Sequence, residues 1–442
     1  MGLMKLEDTY RNKSLGEIAD LGLKTITPVH IGGGAEISAN RFLLTEKVSA
    51  IVDEEKLFEK FSQRGWVDQY INQARQRQGG LGSFQPIQRM SQAEKEQFAA
   101  EVAAYHLKRF EGTPLRDIHN LRPFIRDGEH RAYIPGTSIK GAVRTAVLYG
   151  QLVKLRESNR KDFNAILAAI RNEVGRCRPS PNRPTLDDDK HTELIAQVLQ
   201  GSSLQAPDRS ISEGERSLFD VLKAFSISDT EPADFTPLDL CRIQIVSEGG
   251  EYGWHFSRLP NRLQPISIHA ETLPENTILR CTGTVDKFTV NRFRPKTKSC
   301  FDSLKAVVAH MQRFTDDLIA FERGYFDHLY RLGNDDFIKG IRDRYDEMIN
   351  SKEKPNIRIG WGCGLMGLTI LTLLDRYTED LVYAVRDRVF GNPQKYQGIK
   401  YFPKTRRFIV SEYQGRGNAN EDKWEPIWPL GWCRLEQEGV LS

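Results

Sequence analysis

The stretch YIPGTSIKGAVRTAVLYG, Tyr133 to Gly150, runs from an extended segment through Pro135-Gly136 into a predicted helix. Ile139, Val143 and Val147 fall at i, i+4 and i+8 and set one apolar face. Thr137 or Ser138 is placed to cap the first turn, since a side-chain oxygen there accepts from an amide two or three residues on. Lys140 and Arg144 are also four apart and stack on a neighbouring face. Cations near a helix N-terminus oppose the macrodipole, at a cost of about 0.3 kcal/mol each. Gly141 costs about 1 kcal/mol relative to alanine. An anion at the helix start offsets both. Free amides, two hydroxyls, two cations and a glycine that admits close approach together form a phosphate cradle. The plainer reading is a capped helix whose Lys140 and Arg144 project into solvent.

Upstream, LGLKTITP (Leu21–Pro28) reads as a first strand, followed by the loop VHIGGG. RFLLTEKVSAIVDEEKLF is a second extended run passing into a helix with Leu57, Phe58 and Phe61 on one face. Ser91 and Glu94 offer a capping box, and Phe98, Val102 and Tyr105 form the stripe that follows. Downstream, Cys241, Ile243 and Ile245 alternate with Arg242 and Gln244, which predicts a half-buried strand. ISIHAETL and TILRCTGTV predict two more strands, and residues 302–350 a long helical region. IRIGWGCGLMGLTILTLL repeats the opening theme of extended segment, glycine-rich turn and helix. Strands and helices mix without strict βαβ alternation, so the class is α+β. A boundary near 230–238 divides the chain into two halves, 1–234 and 235–442.

Composition sets the class of protein. The 442 residues are 39% hydrophobic and 28% charged. No run of 18 or more apolar residues is present, so no transmembrane helix is expected. The N-terminal MGLMKLEDTYRNKS has no apolar signal core, which places the chain in the cytoplasm by expectation. The six cysteines are far apart with no C-x-x-C pair, which predicts buried reduced thiols with neither disulfide framework nor zinc site. Net charge is only +4, but two clusters are strongly basic. Lys287, Arg292, Arg294, Lys296 and Lys298 face one acid, Asp286; Lys395, Lys400, Lys404, Arg406 and Arg407 face none. Phe288 and Phe293 interleave with the first, and Tyr396, Tyr401, Phe402 and Phe408 with the second. Cations beside flat rings suit single-stranded nucleic acid, and a solvated strand face or loop fits equally.

Two glycine motifs add binding surface. In TPVHIGGG, Gly32, Gly33 and Gly34 let backbone amides approach a ligand, and His30 is placed either to hydrogen-bond it or to act as a base. In GWGCGLMG, Gly360, Gly362 and Gly364 alternate, which on an extended segment leaves one face bare for another backbone or for internal packing. No nucleotide-cofactor fingerprint, metal motif or nucleophile elbow occurs. The acids Asp187–Asp189 lie in a proline-rich loop and suggest solvation.

At these residues the chain resembles the RAMP proteins, RNA-binding subunits of CRISPR–Cas effector complexes. IPGTSIKGAVRTAVL is similar to their I-P-G-[ST]-S-[IL]-K-G segment, TPVHIGGG to their first-strand loop, IRIGWGCGLMGLTI to their C-terminal glycine-rich segment, and FSISDTEP to their S-D-[ST] turn. Size, motif order and the tail WPLGWCRL resemble the Csm-type subunit at the head of type III-A complexes, with type III-B a related possibility. The resemblance implies two ferredoxin-like (RRM-like) domains with helical and loop insertions. It implies a non-catalytic role on the 3′ side of the crRNA, capping a filament of repeated backbone subunits beside a small subunit. Support of crRNA maturation through host nucleases and indirect contact with target RNA come with it. Glycine loops and helix ends then hold the RNA: His30, Gly32 to Gly34, Thr137, Ser138, Lys140, Gly141 and Arg144, with the two basic clusters beside them. The alternative the same superfamily offers is a metal-independent endoribonuclease with His30 as base and Lys140 steadying the scissile phosphate.

Overall fold

The computed structural model describes residues 16–76, 79–113, 118–176, 220–233, 237–250, 253–258, 265–290, 301–389, 396–412 and 424–437. The first half holds strands β1 (Gly16–Thr25), β2 (Ile37–Ser38), β3 (Phe42–Leu44), β4 (Ser49–Val52), β5 (Ala103–Arg109), β6 (Asn120–Leu121) and β7 (Phe225–Ile227). The second half adds β8 (Asp239–Glu248), β9 (Trp254–Phe256), β10 (Ile268–Thr272), β11 (Ile278–Asp286), β12 (Ile357–Arg358), β13 (Thr405–Glu412), β14 (Trp424–Pro429) and β15 (Trp432–Gln437). The longer helices are α1 (Glu54–Gln63), α2 (Val67–Arg75), α3 (Gln92–Val102), α4 (Gly136–Ser158), α5 (Arg160–Arg176), α6 (Leu304–Gly333), α7 (Asp336–Asn350), α8 (Leu371–Tyr377) and α9 (Glu379–Val389). The class is α+β, and no described helix is long and apolar enough to cross a membrane.

One sheet runs β12–β15–β1–β11–β7, with every neighbouring pair antiparallel. β11 shows why it is one-sided. Leu279, Cys281, Gly283 and Val285 are buried, while Ile278, Arg280 and Thr282 face out. Register carries the pattern across: Leu21 lies opposite Cys281 and Leu23 opposite Leu279. Helices α4 and α6 pack on each other, α4 touching β7 and α6 touching β11. Their apolar residues recur at helical spacing, in α6 as Leu304, Val307, Met311, Phe314 and Leu318. Counted along the chain, β1, α4, β7, β11, α6 and β15 form a β-α-β-β-α-β series in which the strands lie in the order fourth, first, third, second.

The other large sheet is built around β8, which pairs with β13 and β5 along one side and with β10 and β9 along the other. This overturns the half-buried expectation. β8 is covered on both faces, Gln244 being buried as fully as Cys241 and Ile243 and Arg242 nearly so. Alternation of polar and apolar residues did not mark a solvated face here, because the polar ones bond within the fold: Arg242 donates to Ser267 and lies over Trp424. Residues on either side of 234 contribute strands to both large sheets.

Between β4 and β5, helices α1 to α3 close over their own small core, including Phe61, Phe84 and Phe98. The capping box of Ser91 and Glu94 is present. Leu57 and Phe61 are buried as expected, but Phe58 points outward and Tyr105 lies on β5, past the end of α3. Cys241, Cys281, Cys363 and Cys433 are free and buried, and burial pushes the Cys281 and Cys363 thiols up to about 11.

Candidate nucleic-acid interface

The start of α4 is built differently from the sequence expectation. Pro135 occupies the cap position, and neither Thr137 nor Ser138 caps the helix. The cap comes from the S-D-T turn after β7. Asp229 Oδ1 accepts from the Gly136 amide at 2.7 Å, and Thr230 Oγ1 accepts from the Ile134 amide at 2.9 Å. Gly136 is required by proximity, since a Cβ there would overlap the Ile227 carbonyl oxygen. The acidic group that the helix dipole favours is therefore supplied by the chain itself. Arg144 forms an ion pair with Asp220, which also caps the short turn Val221–Ala224 through the Leu222 amide. Lys140 makes no hydrogen bond or ion pair among the described residues, and partial burial lowers its pKa. Thr137 and Gly141 are exposed, and the space where a Gly141 Cβ would sit is open.

The two glycine motifs meet. The Trp361 amide donates to the His30 carbonyl at 2.9 Å, Gly33 donates to Pro123, and Ile125 donates to Ile31. Gly360 has φ +82° and Gly364 φ +62°, so the segment is a tight turn and not the bare extended face expected. A Gly360 side chain would run into the His30 carbonyl, and one at Gly362 into Leu430. Gly33 is pressed against Phe124 in the same way, whereas Gly32 and Gly34 have room around them.

His30 is 2% exposed. Its Nδ1 is 2.7 Å from the Glu271 carbonyl, and its ring meets Phe124 and Trp361 edge-on. Desolvation lowers its pKa. A ring held this way is a strut between two loops, and the geometry does not favour the role of general base.

The cations converge on Trp361. The guanidinium carbon of Arg407 lies 4.3 Å from the centre of that ring and that of Arg122 lies 4.7 Å away. Arg122 also pairs with Glu36 at 3.2 Å. Arg407 has no carboxylate partner among the described residues, and desolvation with Arg122 and Arg358 nearby lowers its pKa. Arg406 is not a free surface cation: it is buried, ion-paired with Glu322, and donates to the Pro403 carbonyl at 2.6 Å. The aromatics of this cluster serve the core, with Phe402 and Phe408 buried and Tyr401 packed on Phe321 and Tyr325. Lys404 is half-buried with its Nζ 6.0 Å from the Tyr396 ring. Arg292, Arg294 and Lys296 lie outside the described residues. Among the described residues no group of three or more His, Cys, Asp or Glu is placed to hold a metal ion.

Sequence reasoning missed Trp361 and Arg122 as members of this surface, the buried Arg358 near Arg407, and Asp229 as the cap of α4. Trp361 stood inside a quoted motif whose glycines drew the attention, and Arg122, in NLRPFIRD, carries no local signal at all.

Fold and surface together define a protein of one family. A model described as the RAMP superfamily matches residues 22–367, well over half of the chain, and the chain belongs to that superfamily. Its relatives narrow the likeness. It is 22% identical over 308 residues to a Streptococcus thermophilus protein named CRISPR system Cms protein Csm5, covering 68% of this chain and 73% of that one. A chain of a cryo-EM Csm–crRNA–target RNA ternary complex from a type III-A CRISPR–Cas system superposes with TM-score 0.60 at 19% identity, covering 95% of this chain and 100% of that one. The crystal structure of Csm5 from T. onnurineus superposes with TM-score 0.53 at 20% identity, covering 81% and 96%.

Proposed function

We propose that this chain is a non-catalytic RNA-binding subunit of a type III-A Csm complex. It holds the 3′ region of the crRNA, caps the filament of backbone subunits and supports crRNA maturation. The single observation that carries the RNA reading is the Trp361 cluster. Arg407 and Arg122 lie against one indole between two glycine turns, and among the described residues Arg407 has no acid to neutralise it. Such a surface offers positive charge to RNA phosphates. The β-α-β-β-α-β series is the arrangement of a ferredoxin-like unit, and we read the sheet around β8 as belonging to a second, more altered one. Strands from both halves enter both large sheets, and the division into 1–234 and 235–442 is proposed as a boundary in sequence that the sheets bridge.

Placement in a Csm complex draws on the likeness to Csm5 proteins and to a chain of a crRNA-bound assembly. Partners are then crRNA, the repeated backbone subunit and the small subunit, with host nucleases recruited for trimming and target RNA met indirectly. The endoribonuclease alternative is disfavoured by the buried His30. Affinity purification of the tagged chain from its host, with sequencing of bound RNA and mass spectrometry of bound proteins, tests the assignment. CRISPR-derived RNA and other Csm subunits are expected. A preparation lacking both refutes it.

A further inference from the structure

Behind the glycine turn lies a pocket of about 350 Å³, bounded by Gly362–Met366, by Tyr396 and Phe402, and by Thr405–Arg407 of β13. Two arginines in its wall are deeply buried: Arg358 is 6% exposed and Arg406 8%, and both pair with Glu322. The pairing is incomplete. Arg358 Nη1 stands 3.6 Å from Glu322 Oε1, and neither it nor Arg406 Nη2 has a hydrogen-bond partner among the described residues. Arg407 Nε is a further buried donor without an acceptor among the described residues. Among the lining residues, Arg358, Arg406 and Arg407 face one carboxylate, Glu322, which leaves two positive charges uncompensated. Buried charged donors without acceptors are costly unless something supplies the acceptors.

We propose that this pocket binds a terminal phosphate monoester of RNA, an inference that rests on the RNA-binding role proposed above. The charge matches: a monoester carries about −1.5 to −2 near neutral pH, and guanidinium forks suit its oxygens in bidentate geometry. Depth selects a chain end. A phosphodiester within a strand carries a nucleotide on each side, and reaching donors this buried would draw both inward. A terminal group brings only one. The volume exceeds what a phosphate alone needs and lies within the range of about 300–1,000 Å³ seen for small-ligand pockets. The terminal ribose rests against Tyr396 and Phe402, and Arg407 joins the pocket to the Trp361 surface.

The test uses the full chain and one short single-stranded RNA with an internal fluorophore, prepared with hydroxyl ends, with a 3′-phosphate, or with a 5′-phosphate. Anisotropy is expected to show one phosphorylated form binding about tenfold tighter than the hydroxyl form, which also tells which end the pocket takes. Arg407→Gln, a half-buried position outside the Glu322 pairing, is expected to weaken all three RNAs through the Trp361 surface, to erase the difference between the phosphorylated and hydroxyl forms, and to cause no loss of melting temperature. Equal binding of all three RNAs, or a gain that survives Arg407→Gln, overturns the pocket while leaving the RNA role intact. If no RNA binds, the broader role fails, and calorimetry with 3′-AMP and 5′-AMP decides the pocket alone. Heat that disappears in Arg407→Gln supports a phosphate site there, and absence of heat overturns it.

Discussion

The amide of Gly136 donates to the carboxylate of Asp229 at 2.7 Å across 93 residues of sequence. Helix α4 thus begins on a cap carried by the turn after β7, and two distant motifs are one structural device. Asp229→Ala removes both the acceptor and a negative charge at the helix start, so a loss of about 1–2 kcal/mol is expected. Asp229→Asn should retain much of the cap. Urea unfolding of the three proteins measures this, and equal midpoints for wild type and the alanine variant would rule it out. The same carboxylate repels an incoming phosphate. If RNA reaches the start of α4, Asp229→Asn tightens binding as well.

Glycines in this motif separate into two kinds. Gly136→Ala drives a Cβ into the Ile227 carbonyl and is expected to destabilise severely. Gly141→Ala meets open space, and helix propensity alone predicts a gain approaching about 1 kcal/mol. A helix that forgoes this gain at an exposed second-turn position keeps it open for something outside the fold. Gly141→Ala is therefore expected to raise the melting temperature while weakening RNA binding. Tighter or unchanged RNA affinity would show that no ligand approaches there.

How much of this was legible in the chain depended on distance. The α+β class, β1, α4, the capping box at Ser91 and the strands β10 and β11 followed from local periodicity and turn chemistry. Asp229 as cap, Arg144 paired to Asp220, and His30 held by the Glu271 carbonyl did not, because each bond joins residues 76 or more apart. Spacing marks which side chains share a face of one element but says nothing about what another element brings to it. Arg406 shows the consequence. In sequence it is one of a run of surface cations, and in the fold it is buried against Glu322.

That burial makes Glu322 a demanding position. Its carboxylate, 1% exposed, is the acid shared by Arg358 and Arg406. Glu322→Ala leaves two buried guanidinium groups facing each other, and a loss of about 3–5 kcal/mol is expected. Poor soluble yield or a steep fall in the denaturation midpoint is the readout. A variant as stable as wild type would mean that the arginines turn out to solvent.

The last expectation concerns pH. Asp239, at the start of β8, is 5% exposed and its Oδ1 has no hydrogen-bond partner among the described residues. Desolvation pushes its carboxyl up to about 6, with Lys108 opposing and Glu275 adding to the shift. Unfolded, the same group titrates near about 3.9. The native state therefore holds a proton that the unfolded chain has released. Below about pH 4 both states are protonated and the group contributes nothing to the difference. Between about pH 4 and 6 stability falls as pH rises, and above that range the full penalty applies, about 2–3 kcal/mol. Asp239→Asn removes the charge. It is expected to match wild type near pH 4 and to exceed it in urea midpoint at pH 7.5. Parallel stability curves across that range would show that Asp239 ionises in the fold as freely as in the unfolded chain.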